Sequence, residues 1–489
     1  MNLLDAAACL PAETAGSVTF NDWLAPAPAA VSALAPESPL YRQLYAGIRR
    51  AISDGQMAAG TRLPSTRILA QQLGVSRNTV MAAYDQLLAE GYLDARTGRG
   101  TYVSTVMSGS TAPKKPPRIA RQGVVPERLP EVGVPALECF PVKSWTRLVT
   151  RRVKCSMAEL MSNAHPTGYR PLREAIAVQL GMTRGLSCRA EQIFVLPGFD
   201  AVAHLVSRAL LGAGDKVWIE DPCSPLARAA FANSMVSVVN VPVNRDGFDV
   251  NLARQIAPGA RLACVTPERQ FPLGTQMSPA RRNALLAWAR NEQGWILEDD
   301  RASELNWAAA PLSTLARADG VRRVLYAGSF DRVMYPALRI CYVVVPESAV
   351  AAFTLAWADS MLHCPVLEQA ALTDFITGGH FALHLRRMRA LYADRSNALS
   401  NAMAPEIDTG VRLISTEGGL FSTALFSGAL DRDVVLDAFT AEEALHVRPL
   451  SSFCAHSQWN GVVVGFGAIE KGNLRAMIRR LTASVRSLS

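Results

Sequence analysis

Two stretches of this chain carry side chains whose types and spacing could do chemistry. The first runs from Val324 to Val345, VLYAGSFDRVMYPALRICYVVV, and holds Gly328, Ser329, Asp331, Arg332, Pro336 and Arg339 between two apolar runs. A glycine, a small hydroxyl and two guanidinium groups suit an anion, because backbone N–H groups and planar N–H forks converge on its oxygens. The second is Ser76-Arg77-Asn78-Thr79, with Arg67 upstream and Gly98-Arg99-Gly100 downstream. Arginine can chelate guanine, asparagine can pair with adenine, and hydroxyls suit phosphate oxygens. That set points to double-stranded DNA. The plain alternative for each stretch is a solvated charged surface.

Elements must position both sets. Val324–Tyr326 and Ile340–Val345 read as strands flanking a loop. In a parallel α/β sheet, loops at strand ends are where ligands bind. The competing reading is a solvated hairpin. For the second set, Tyr41, Leu44, Ile48 and Ile52 repeat at helical spacing, and Gly55 and Gly60 bracket a connector. Ser65 can cap a helix over 66–73 that stops at Gly74. Ser76 caps the next helix, with Val80, Tyr84, Leu87 and Leu88 as its buried face and Gly91 at its end. Short strands at 92–95 and 101–104 then flank the basic turn Arg96-Thr97-Gly98-Arg99-Gly100. Two helices across a glycine turn, followed by a basic hairpin, make a winged helix-turn-helix over 38–104, with Arg99 at the wing tip.

Charge supports that division. The chain has 489 residues, a net charge of +8 and 49% hydrophobic residues, enough for two or three domains with a large core. Between 38 and 104, eight arginines face four acids, and 105–125 adds four basic residues and no acid. A basic charge concentrated early in the chain favours nucleic acid over a uniformly basic surface. Residues 1–37 are acidic and rich in Ala and Pro, which predicts a disordered arm with a short helix at 3–10. Residues 105–125 read as a basic Pro/Ser linker, able to span on the order of 60 Å at roughly 3 Å per residue. The nine cysteines form no CxxC pair, which predicts buried free thiols in a reducing cytoplasm and no metal site. No uninterrupted run of about 18 apolar residues predicts a membrane span, and the N-terminus lacks a basic signal-peptide region.

Residues 126–489 read as one α/β unit. Strand-like runs at 192–196, 216–220, 262–266, 295–297, 324–326 and 340–345 alternate with helical patterns at 172–180, 201–211 and 279–290. That alternation predicts a mostly parallel sheet. Helical patterns at 367–377 and 381–395, broken by Gly378-Gly379, lead into mixed segments that predict a C-terminal α+β subdomain.

LPSTRILAQQLGVSRNTVMAAYDQLLAEGYLDARTGRGTYVS resembles the GntR-type winged helix over its full length. The resemblance implies DNA contacts from Arg67, Arg77, Thr79 and the wing Gly98. Met81 stands where that family often has arginine. Further on, PALECFPVKSW, GYRPLREAIAVQLGMTRGLSC, VTPERQFPLGTQMS, WILEDDRASEL and GSFDRVMYPALR resemble the MocR/GabR subfamily. There the winged helix is fused to a fold type I aminotransferase domain, which implies a homodimer with two winged helices on separated half-sites.

The resemblance also implies a pyridoxal phosphate (PLP) pocket, and here the chain departs from the family. A lysine must form the Schiff base, an aspartate must face the pyridinium nitrogen, and donors must hold the phosphate. Arg332 occupies the lysine position, and a delocalised, permanently charged guanidinium cannot form that bond. The phosphate segment reads Gly198-Phe199-Asp200, which sets a carboxylate against a phosphate. Arg301 replaces an aromatic after the acidic pair, Arg269 replaces a histidine, and Cys223-Ser224 replaces a Gly-Tyr pair. Val463 falls where an arginine often holds a substrate carboxylate. Asp299, Ser329 and Arg339 remain at the pyridinium and phosphate positions. The charged groups left over are open to two readings, an internally satisfied Arg/Asp network or a site for a small anionic effector.

The leading expectation is a dimeric, sequence-specific DNA-binding regulator. Its aminotransferase-like domain would dimerise and sense an effector without catalysis and without covalent PLP. One alternative is a PLP-dependent sensor or aminotransferase that binds the cofactor non-covalently or through an unrecognised lysine. Another is an architectural scaffold for protein partners.

Overall fold

The computed structural model describes residues 39–96, 100–105, 132–155, 160–161, 166–301, 303–307, 313–360, 362–404, 411–414, 417–426, 446–456 and 459–486. The expected arm over 1–37, nearly all of the linker, and Gly98 and Arg99 lie outside the described residues. The chain divides into two compact units, Met1–Glu127 and Arg128–Ser489.

In the first unit, helices α1 (Leu40–Ser53), α2 (Thr66–Leu73) and α3 (Arg77–Ala89) precede an antiparallel pair, β1 (Leu93–Arg96) and β2 (Gly100–Val103). The chain starts and stops these helices where local chemistry favours it. Ser65 accepts from the Ile68 N–H, and Gly74 ends α2 in the left-handed conformation at φ 64°. Ser76 accepts from the Thr79 N–H to cap α3. Each cap satisfies a backbone donor that a helix start leaves unpaired. The apolar stripes of α1, α2 and α3 close on one core containing Leu44, Ile48, Leu69, Val80, Tyr84 and Leu87. Leu88, expected inside, is half-buried at the edge of that core.

The second unit continues with α4 (Val142–Cys155), α5 (Arg170–Arg184), β3 (Ile193–Leu196), α6 (Phe199–Leu210), β4 (Lys216–Asp221), α7 (Pro225–Ala232), β5 (Ser237–Pro242), α8 (Val250–Ile256), β6 (Leu262–Val265), α9 (Pro279–Asn291), β7 (Trp295–Asp299), α10 (Leu315–Asp319), β8 (Val324–Ser329) and β9 (Cys341–Val344). The seven strands order as β3-β9-β8-β7-β6-β4-β5. Only β9 runs against the rest, pairing antiparallel with both β3 and β8. Side chains alternate across this sheet. Val195, Trp218, Ala263, Ile296 and Tyr326 face one core, while Phe194, Val217, Cys264, Leu297 and Leu325 face the other. With both faces covered, the strands read as unbroken apolar runs.

Two readings needed correction. The loop after β8 does join antiparallel neighbours, so it is a hairpin connection. It is not solvated, because Phe330, Val333, Met334, Leu338 and Ile340 are buried. The edge strand β5 was missed, because its alternation is weak and most of it is only half-buried.

Three further helices follow, α11 (Val350–Ala358), α12 (Val366–Thr377) and α13 (His380–Met403). A four-stranded antiparallel sheet, β10 (Val411–Ile414), β11 (Phe421–Phe426), β12 (Val447–Pro449) and β13 (Gly461–Gly465), and α14 (Lys471–Arg486), which packs on α13, complete an α+β subdomain.

Candidate functional site

The carboxyl ends of β4, β6 and β7 open into a cavity of about 100 Å³. Parallel strands ending side by side leave such a crevice where their connections diverge. Its wall includes Glu220, Thr266, Arg269, Asp299, Arg301 and Arg332. Four of these come from the set expected in the sequence. Glu220 and Thr266 do not, and neither does Arg184, which holds the floor.

Arg184, at the last turn of α5, forms ion pairs with Glu268 and Asp300 at 2.9 Å each, with all three side chains under one-tenth exposed. The Tyr326 hydroxyl donates to the same Asp300 carboxylate at 2.5 Å. Burial pulls the Arg184 pKa down, but Asp300, Tyr326 and Glu268 more than offset that and hold it above its usual range. Arg269 is lowered by burial, against the pull of Glu268 and Asp300. Room for it depends on Gly418 and Gly419, since a Cβ on either would run into its guanidinium.

The remaining expected residues meet one another. Arg301 grips Asp299 with two parallel bonds, Nε to Oδ1 at 2.8 Å and Nη2 to Oδ2 at 2.9 Å. Its guanidinium carbon lies 3.9 Å from the centre of the Phe199 ring. A planar cation held edge-on by a carboxylate and face-on by an aromatic ring is well satisfied. Arg339 donates to the Pro197 carbonyl at 2.7 Å and to Asp200 at 3.2 Å. Its backbone is left-handed at φ 46°, a conformation a non-glycine residue adopts at a cost of about 1 kcal/mol. Gly198, at φ 119°, lets this pair approach, because a Cβ there would lie 2.5 Å from Asp200 Oδ1 and 2.8 Å from Arg339 Nη2. Ser329 hydrogen-bonds the Asp331 carboxylate, and the Asp331 N–H donates back to Ser329 Oγ at 3.1 Å. Arg332 Nη1 donates to the Val132 carbonyl at 3.3 Å. Val463 is fully buried in β13, opposite Arg448 of β12.

On the first unit, Arg67, Ser76, Arg77 and Asn78 are exposed and Thr79 is half-buried. They gather where α2 and α3 begin, because the turn at Gly74 brings the two starts together. Arg77 Nε donates to Thr66 Oγ1 at 3.4 Å, tying the two helices. The Ser76 and Thr79 hydroxyls lie 2.8 Å apart and bond each other. Met81 is exposed on the same helix.

Residues 40–103 match the family model described as bacterial regulatory proteins, gntR family. The chain is 34% identical over 468 residues to the probable rhizopine catabolism regulatory protein MocR of Rhizobium meliloti, covering 92% of this chain and 94% of that one. It is 30% identical over 459 residues to the HTH-type pyridoxine biosynthesis transcriptional regulator PdxR of Corynebacterium glutamicum, covering 93% and 98%. Among solved structures, the kynurenine aminotransferase of Pyrococcus horikoshii superposes with a TM-score of 0.67 at 23% identity, over 73% of this chain and 90% of that one. That likeness carries the fold of the large unit. The winged helix and the strand-end pocket thus sit in one known architecture, and the chain belongs to the MocR-type transcriptional regulators of the GntR family.

Proposed function

We propose that this regulator binds operator DNA as a homodimer through paired winged helices, and that its aminotransferase-fold unit performs no transamination and holds no PLP. The observation that carries this reading is the Arg301–Asp299 pair. The carboxylate expected to meet a pyridinium nitrogen already holds a cation of the chain's own, stacked on Phe199. The residues present do not fit the cofactor elsewhere either. Arg339 is engaged by Asp200, Ser329 by Asp331, and Arg332 stands at the lysine position. Each end of the cofactor would have to displace an internal partner before binding. The cavity serves as an effector pocket, with Arg332 and Arg269 in its wall. Cytoplasmic residence follows from the role in transcription; among the described residues no helix is long and apolar enough to cross a membrane.

The test is to titrate purified full-length protein with PLP, follow visible absorbance, then reduce with borohydride and map peptides. We expect no bound-cofactor band and no modified lysine. A saturable band or a lysine adduct overturns the reading.

A further inference from the structure

In the first unit, residues 61–63 run antiparallel beside β2. The Leu63 N–H donates to the Thr101 carbonyl and the Val103 N–H to the Thr61 carbonyl, each at 2.9 Å. Arg62 faces Tyr102 across this pairing, and Tyr102 faces Asp94 of β1. Successive side chains of a strand point to opposite faces. Leu63, Leu93 and Val103 enter the helical core, so Arg62, Tyr102 and Asp94 share the outer face. Arg62 is exposed, and two directions are open to it along that face. One leads toward the exposed carboxylate of Asp94. The other leads toward Gly100, whose partner in the register is Arg96. The side chain takes the second. A Cβ built on Gly100 would come within 3.2 Å of Arg62 Nε and 3.5 Å of Nη2, so the guanidinium lies against that glycine. Among the described residues Arg62 forms no ion pair. A guanidinium that leaves a nearby carboxylate and lies toward a basic position is placed for an anion from outside the chain.

The fold fixes where that anion would be. From Arg62 the chain runs directly into α2. The Tyr84 hydroxyl of α3 donates to the Pro64 carbonyl at 3.0 Å, and Arg77 ties the start of α3 to Thr66. The segment carrying Arg62 is therefore anchored against the two helix starts that present Arg67, Ser76 and Arg77. In a helix-turn-helix the start of the second helix enters the major groove, and the phosphate backbone passes the residues beside it. We infer that Arg62 is a further DNA-contacting residue, taking one backbone phosphate beside the helix starts. Gly100 positions it, because the missing Cβ leaves the guanidinium room to lie over β2. The contact adds affinity and register and reads no base. It rests on the reading that the first unit binds DNA.

Fluorescence anisotropy of the full-length protein on a labelled mixed-sequence duplex, repeated across a series of KCl concentrations, tests this. A phosphate contact is independent of sequence, so the operator need not be known. Arg62→Gln should lower the slope of log affinity against log salt by about one. Arg62→Lys should keep the wild-type slope, because counterion release counts charge and not the shape of the donor fork. Arg290→Gln removes the same charge from the exposed last turn of α9 in the large unit and should leave the slope unchanged. An unchanged slope for Arg62→Gln, an equal fall for Arg290→Gln, or an equal fall for Arg62→Lys each overturns the inference. Wild-type protein that binds no duplex sinks the reading beneath it, whereas an unchanged slope in Arg62→Gln sinks this inference alone.

Discussion

Arg184 is the residue on which the pocket floor depends. Its guanidinium serves two buried carboxylates, Glu268 and Asp300. Removing one partner from a buried ion network leaves the others uncompensated, at a cost of roughly 3–5 kcal/mol. Arg184→Met should therefore lower the unfolding free energy of the large unit by that order in urea denaturation. A loss below about 1 kcal/mol would match an exposed pair and contradict the network. Glu220 gives a pH signature. Its carboxyl holds a proton up to about 7 when folded, far above the ordinary carboxylate range. That contribution to stability is complete below the unfolded pKa and is lost as pH rises through about 7. Wild type should lose stability relative to Glu220→Gln between pH 5 and 7, with a slope of up to roughly 1.4 kcal/mol per pH unit. Parallel pH profiles for the two proteins would refute it.

At the scale of elements, the winged helix is set by its caps and by the turn between α2 and α3. Ser65→Ala removes the acceptor for the Ile68 N–H and should cost the first unit about 1 kcal/mol, read from its chemical denaturation. The exposed face of α3 presents Met81, four residues after Arg77 and so one turn along. Met81→Arg should add a phosphate contact. Its binding to DNA should strengthen across all sequences, and the slope of log affinity against log salt should steepen by about one. An unchanged slope would place position 81 away from the backbone. By contrast, Arg77→Ala should cost about 1–3 kcal/mol on specific sites and relax base preference.

At the scale of the whole molecule, the first unit carries the GntR-type DNA-binding fold and the second the aminotransferase fold. Sedimentation should give a dimer, and footprinting should give two protected half-sites; a monomer protecting a single half-site would refute the paired arrangement. The amino-acid sequence by itself determined the winged helix, because caps, stops and apolar stripes act within a few residues of one another: Ser65, Gly74 and Ser76 stand where they were read. It also determined the mostly parallel sheet, whose twice-covered strands must be continuously apolar, and the arginine at position 332, which is a matter of residue type. Only the tertiary structure decided who pairs with whom. Arg184 reads as an ordinary basic residue at a helix end, and its partners arrive much later in the chain, from the loop after β6 and the turn after β7. Asp200 read as a repellent of phosphate and is the partner of Arg339. Glu220 read as part of a strand, and only the meeting of β4 with the end of β6 brings the Thr266 hydroxyl onto its carboxylate. Ion pairing and burial depend on distances across the fold, and spacing along the chain does not encode them.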